Sequence, residues 1–398
     1  MQISTRILFI EIKNSEYTFL VGENNEDNDF KLIYKNCIQT KGIVNNKIID
    51  FELAYKSLKN NLHFIEQKFN FTFEETILIL NNFECSISNF TGFKKLNGSQ
   101  LTKENISYIL NSLKSKINES EKHKTILHIF NTKYNLDKNQ IENLPIGLFG
   151  NLYSHELSFF LINSNDFKNF NNLFNKCNLR IKKIILKSFI EGVNLINNNK
   201  DLDTFFKIKI NRNNSELIFF ENSALKFTQN FDFGSDIILN DISKITSLKK
   251  ETIIKLISNS LLKINSPEEC IEKKYFENAN FRKIKKKLIN DVAEARIQEI
   301  AELILLKNIN LVGLPKKVRP VYLSIADQLN VDCFKKSYET TFSKNNFFLV
   351  KFIKEDLPSE FSLYHDASKI AHYGWQKEAI PITQDKQSLL ARIFKSFF

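Results

Sequence analysis

The sequence predicts an α/β fold carrying a small α+β insertion. Two observations carry that reading. Short apolar runs of strand character alternate with amphipathic helical stretches along most of the 398 residues, which is the pattern of helices packed on sheets. Strict apolar–polar alternation also marks hairpins in two separate places, near the N-terminus and around residue 211.

Element by element, strands are expected at Ile7–Ile12 and Tyr17–Gly22, joined by a short turn. Leu53, Leu58, Leu62 and Ile65 give residues 50–70 a helical period, and Glu75–Leu80 reads as a strand. A β-rich stretch follows, with one helix at Thr102–Lys116 begun by Thr102 as N-cap. Strands are expected at Ile126–Phe130 and Leu157–Ile162, then a helix Asp166–Cys177, a strand Ile184–Leu186 and a helix Ser188–Ile196. Phe205–Ile210 and Glu216–Glu221 form the second hairpin, around residues 211–215. Helices dominate from Ser235 to about Leu305, and a β–α alternation returns up to Trp375. No internal repeat is evident in the residues.

Composition narrows the class. The chain carries a formal net charge of +11 and 42% hydrophobic residues, and no apolar run is long enough for a transmembrane helix. The N-terminus, MQISTRILFIEI, runs directly into strand pattern without a small-residue cleavage site and is not read as a signal peptide. The five cysteines lie scattered without CxxC spacing, as in a reduced compartment. The six histidines show no HExxH or paired-ligand spacing. A basic balance favours acidic partners. Nucleic acid is not among those expected, because the main basic run, Arg282–Lys287, sits in a helical pattern as a solvated face.

The C-terminal segment Ser388–Phe398 is the most specific local signal. On a helical wheel Leu389, Leu390, Ile393, Phe394, Phe397 and Phe398 share one half, with Arg392 and Lys395 on the other. Such a helix is about 16 Å long, too short to span a bilayer but suited to lie in the interface with its basic residues on anionic headgroups. Half-burying those side chains supplies about 6–10 kcal/mol gross. Ordering the segment costs a comparable amount at about 1–2 kcal/mol per residue, so a single copy binds weakly and an array binds through avidity. A terminal helix docked on the chain's own core is the competing reading. The polar stretch Gln376–Gln387 ahead of it reads as a tether.

Several segments, in order, resemble the FtsA family of actin-like bacterial cell-division proteins. Residues 42–50, GIVNNKIID, resemble its GIxxGxIxD segment. Residues 127–137, with Leu144–Gly147 and Gly150, resemble LHxxPxxYxxD…NPxGMxG. Residues 172–179 followed by Ile185 and Leu186 resemble NLxxCxxxxGLxxxxLVLEPLAS. Residues 223–228 resemble GALxHT, Glu294–Ile300 resembles ExRxxEI, and Ala371–Gly374 resembles the end of the family's last core helix. The resemblance implies an actin-like, ribonuclease H-like fold of two lobes. It implies residues 1–83, 163–200 and 355–375 in the first lobe, an SHS2-like insertion at 84–162, and 201–234 and 306–354 in the second lobe. A helical subdomain at 235–305, a tether at 376–387 and a membrane helix at 388–398 complete it. It further implies a protein at the division site, on the inner face of the cytoplasmic membrane, that tethers FtsZ filaments, self-associates and recruits other division proteins.

The resemblance also implies an ATP and Mg²⁺ site, and here the sequence departs from the family. Glycine-rich turns let backbone N–H groups approach phosphates, and an aspartate in each turn region serves the metal. The first turn, DIGTxK in the family, reads Glu11 to Glu16 here; the second, DIGGGTTD, reads Lys209 to Glu216. The candidate cofactor residues are Glu11, Asn14 and Ser15, then Asn211, Asn213 and Ser215, with Glu251, Lys255 and Gly313 at the expected adenosine side. Two readings stand. In one, Lys13, Lys209 and Arg212 compensate by charge and asparagines tolerate left-handed turns. In the other, preferred here, four side-chained residues in place of a triple-glycine turn weaken or abolish ATP binding, leaving a scaffold. An active ATPase with an unusual cleft, and an actin-like adaptor for pilus or secretion assembly, remain as alternatives. Arg296 and Glu299 match the family's RxxE pattern, which implies contact with the acidic C-terminal tail of FtsZ.

Overall fold

The structure, a computed structural model, describes residues 5–24, 30–258, 266, 268–276, 281–314, 317–326, 328–344, 348–352 and 357–379. The chain begins with strands β1 (Thr5–Lys13), β2 (Glu16–Asn24) and β3 (Phe30–Gln39), and the short pair β4 (Ile43–Val44) and β5 (Lys47–Ile48). Helix α1 (Phe51–Phe69) leads to β6 (Glu75–Asn81) and β7 (Ser86–Lys95). Next come α2 (Lys103–Ser120), β8 (Lys124–Leu136), β9 (Asn139–Ile141) and β10 (Leu152–Asn163). Then follow α3 (Ser164–Lys176), β11 (Arg180–Leu186), α4 (Lys187–Asn198), β12 (Phe205–Ile210), β13 (Ser215–Glu221) and β14 (Ala224–Phe231). Helices α5 (Asp236–Thr246), α6 (Lys250–Ser258) and α7 (Lys286–Ala301) precede β15 (Arg319–Ile325), α8 (Gln328–Phe342), β16 (Phe348–Phe352) and α9 (Leu357–Tyr373).

Contacts divide the chain into two units: 1–203, 220–227 and 356–398 in one, 204–219 and 228–355 in the other. The chain forms two five-stranded sheets, and they share one strand order. The first runs β11-β6-β1-β2-β3 and the second β14-β13-β12-β15-β16. In each, three successive strands lie side by side, and a fourth and fifth are added in parallel beside the first of them. The chain therefore contains the same sheet topology twice, a repeat that its residues do not display. The parallel strand β6 is buried from Thr76 to Asn81, as a helix-covered strand must be, and every residue of β13 is buried.

In the first unit, α1 is held at its start by Asp50, whose carboxylate accepts from the Leu53 N–H at 2.9 Å, and ends on Asn70 in the left-handed conformation. Ala54, Leu58, Leu62 and Ile65 form its buried stripe; three of the four residues read from the sequence lie on it, and Leu53 is exposed. Between β6 and α3 lies a separate four-stranded sheet, β7-β10-β8-β9, against which α2 packs through Ile109, Leu113 and Ile117. Helix α2 begins with a capping box formed by Thr102 and Asn105. Helix α4 buries Gly192, where a Cβ would lie 1.9 Å from the Phe220 ring, so only glycine allows that close approach.

After α9 the chain docks again before the described residues end. The Trp375 indole donates to the Ser223 carbonyl at 2.8 Å. The Asn131 N–H donates to Lys377 O at 2.8 Å and the Ala379 N–H to Ile129 O at 2.7 Å, adding this strip to β8. Gln376–Ala379, the first residues of the expected tether, are thus part of the folded unit. The rest of the tether and the expected membrane helix lie outside the described residues.

Candidate functional site

The first turn of interest reverses β1 into β2 at Asn14 and Ser15, where Lys13 faces Glu16. Asn14 takes φ 54°, the region glycine occupies freely and asparagine tolerates. Its backbone N–H is already used: it donates to Asn46 Oδ1 at 2.6 Å. The Asn46 N–H returns a bond to the Asn14 carbonyl at 3.0 Å, and the Thr40 N–H donates to the Ser15 carbonyl at 2.8 Å. Asn46 also donates to the carbonyls of Asn81 and Asn82. A side chain of the chain itself therefore takes the donor that a phosphate-binding turn would present.

Glu11 lies at the buried end of β1, 3% exposed. Its Oε1 accepts from Asn81 Nδ2 at 2.6 Å and Lys187 Nζ at 2.8 Å. Its Oε2 accepts from Lys187 Nζ at 2.7 Å and the Tyr364 hydroxyl at 2.7 Å. Burial alone would raise the Glu11 pKa, but the Lys187 charge and the hydrogen bonds from Lys187, Tyr364 and Asn81 hold it below the usual carboxylate value. Strand β6 and helices α4 and α9 thus converge on this one carboxylate.

In the second unit, the turn between β12 and β13 is closed internally. The Asn211 N–H donates to the Asn214 carbonyl at 2.9 Å, and Asn211 Nδ2 to Asn214 Oδ1 at 2.8 Å. The Asn211 and Arg212 carbonyls accept from the Ser235 and Asp236 N–H groups, each at 2.9 Å, at the start of α5. Gly234 permits this contact, since a Cβ there would lie 2.1 Å from the Asn211 carbonyl oxygen. The Ser215 hydroxyl is buried and donates to the Phe233 carbonyl at 2.8 Å. Asn213 is exposed at the tip. Lys209 lies 3.9 Å from Glu216. Glu251 and Lys255 are exposed on α6, and Gly313 sits in an exposed turn at φ +97°.

These residues do not fit an Mg²⁺–nucleotide in the manner of glycine-rich turns. At the first turn the Asn14 donor is taken by Asn46. At the second, the α5 N-terminal donors are taken by turn carbonyls. The Glu11 carboxylate, buried beside the first turn, is taken by an ammonium.

Arg296 on α7 is bound on two sides, to Asp241 of α5 and to Glu299 at 2.6 Å. Its side chain remains 30% exposed. The guanidinium is therefore oriented by carboxylates of its own unit. The membrane residues Leu389, Leu390, Arg392, Ile393, Phe394, Lys395, Phe397 and Phe398 lie outside the described residues.

Comparison with known proteins shows what the chain is similar to. No protein-family model matches the chain. It is 23% identical over 304 residues to the cell division protein FtsA of Buchnera aphidicola subsp. Schizaphis graminum, covering 75% of this chain and 72% of that protein. The FtsA of Buchnera aphidicola subsp. Acyrthosiphon pisum matches at 22% over 303 residues. The chain is a divergent relative of FtsA. Its fold is actin-like: a chain of the PilM–PilN type IV pilus biogenesis complex superposes with a TM-score of 0.50 at 9% identity, over 92% of this chain and 98% of that one. The doubled sheet order is the internal counterpart of that likeness.

Sequence reasoning singled out Glu11, Asn14 and Ser15 but missed the groups that engage them, Asn46, Asn81, Lys187 and Tyr364. One signal was available. The FtsA segment LVLEPLAS has glutamate where this chain has Lys187, a reversal of charge inside a matched motif.

Proposed function

We propose that this protein is a non-enzymatic actin-like adaptor that ties FtsZ filaments to the inner face of the cytoplasmic membrane at the division site. The relation to FtsA along three quarters of each chain is the observation that carries the reading. Residues 388–398 supply the membrane contact as an interfacial helix with Phe394 and Phe397 inserted and Arg392 and Lys395 on anionic headgroups. Arg296 and Glu299 supply contact to the acidic FtsZ tail, with Arg296 exchanging a carboxylate of its own unit for one of the tail. Self-association raises the number of terminal helices per assembly and so makes weak single contacts durable. Other division proteins join this membrane-bound platform.

ATP binding is weak or lost in this reading, because the turn donors and Glu11 are used internally. The pilus-adaptor alternative draws support only from a likeness of fold. Flotation with anionic vesicles tests the membrane contact. Full-length protein floats, while Phe394→Asp and a chain ending at Gln387 stay at the bottom with unchanged circular dichroism. Flotation that survives both changes would remove residues 388–398 from the account.

A further inference from the structure

Lys187 is the first residue of α4, a position where the helix dipole disfavours a cation. It is nonetheless held there, its side chain 18% exposed, by both oxygens of a carboxylate that is itself 4% exposed. The Glu11 oxygens receive four hydrogen bonds in all, from Lys187 twice, Asn81 and Tyr364. The Tyr364 ring adds a face to the same ammonium, 5.8 Å from its centroid. Mg²⁺ requires oxygen ligands in near-octahedral order and keeps several of its waters. Neither requirement is compatible with a carboxylate enclosed by three donor side chains, one of them cationic.

We infer that the Lys187 ammonium does at Glu11 what a divalent cation would otherwise do, neutralising and fixing the carboxylate and closing this unit to metal. The chain carries its cation covalently. The arrangement of β1, β6, α4 and α9 around Glu11 is therefore set by the fold and does not change with Mg²⁺ or with nucleotide. An adaptor built this way is constitutive: its state is not switched by loading or hydrolysis of ATP. The inference rests on the actin-like reading of the β1–β2 turn and is independent of membrane or FtsZ binding, so failure of the flotation experiment leaves it standing.

The test uses Mn²⁺ as the probe, with binding read by water-proton relaxation on the full chain, with and without ATP, alongside thermal melting in Mg²⁺ and in EDTA. The expected result is no protein-bound Mn²⁺ and one melting temperature in both buffers. Mn²⁺ binding that disappears in Glu11→Gln would overturn the inference. Stability supplies a second arm. Lys187→Met leaves an unpaired buried carboxylate and lowers the melting temperature, and adding Glu11→Gln to it raises the melting temperature again. A double variant that melts no higher than Lys187→Met alone would show that the two groups do not act as a pair, and would equally overturn it.

Discussion

Glu378 shows how much one side chain fixes near the end of the folded chain. Its Oε1 accepts from His128 Nδ1 at 2.8 Å and its Oε2 from Lys183 Nζ at 2.9 Å, with all three side chains at most 1% exposed. Lys183 also donates to the Ile370 carbonyl at 3.1 Å. His128 Nε2 accepts from the Leu186 N–H at 3.4 Å, so its ring is neutral with the proton on Nδ1, in keeping with the lowered pKa that burial imposes. Glu378→Gln leaves the Lys183 charge buried without its counter-charge and is expected to cost about 3–5 kcal/mol, read by denaturant unfolding. The pH profile follows from the same groups. Burial would raise the Glu378 carboxyl, yet His128 and Lys183 outweigh it and hold it at about 2 against 4.5. Burial holds His155 at about 4 against 6.5. Glu11 and His128 also bind protons more weakly when folded. All four shifts favour protonation of the unfolded chain, so the contribution of these groups to stability is full above about pH 6.5. It falls first as the unfolded histidines charge, then again below about pH 4.5 as the unfolded carboxylates do. Melting temperatures measured from pH 8 down to pH 4 check this sign. None of these partnerships was legible in the sequence. Lys183 pairs with Glu378 across 195 positions, and no local pattern encodes such a contact. Asn14 and Glu11 were legible as special positions because a motif surrounds them. Their partners Asn46 and Lys187 came from elsewhere in the chain.

Elements were far more readable than contacts. The stripe Leu53, Leu58, Leu62 and Ile65 gave α1 its place, although Leu53 proves 43% exposed while Ala54 is buried; the true stripe begins one residue later. Thr102 was recognisable as an N-cap because its chemistry is local, and Thr102→Ala is expected to cost about 1 kcal/mol, measured by thermal unfolding. The contact between the 211–214 turn and α5 was not recognisable, because it depends on the absence of a side chain at Gly234. Gly234→Ala forces Asn211 and Arg212 away from the helix start, where their carbonyls now accept two bonds. It is expected to destabilise by about 2 kcal/mol or more, with increased hydrogen exchange at the Ser235 and Asp236 amides as the specific readout. The doubling of the sheet was invisible for a related reason. Both halves keep strand order, but a buried strand needs only apolar residues of suitable size, so the two halves share a pattern with little residue identity to reveal it.

At the scale of the whole molecule, two features define this relative of FtsA. Its turn donors and its buried carboxylate are engaged internally, and its chain continues past the docked strip Trp375–Ala379 into a basic amphipathic end. Together they are what the proposed adaptor needs: a scaffold fixed by its own side chains, with attachments outside it. The overall class was legible because alternation and periodicity are global properties. The absence of glycine from both turns was legible in the sequence, but the pairing of Lys187 with Glu11 required the fold. The most direct measurement is flotation of the FtsZ C-terminal tail, fused to a soluble carrier, on anionic vesicles with this protein, in EDTA and without nucleotide. The account predicts that the tail floats only when full-length protein is present, to the same extent with or without Mg²⁺ and ATP. A tail that stays at the bottom, or that floats only when Mg²⁺ and ATP are added, would contradict it.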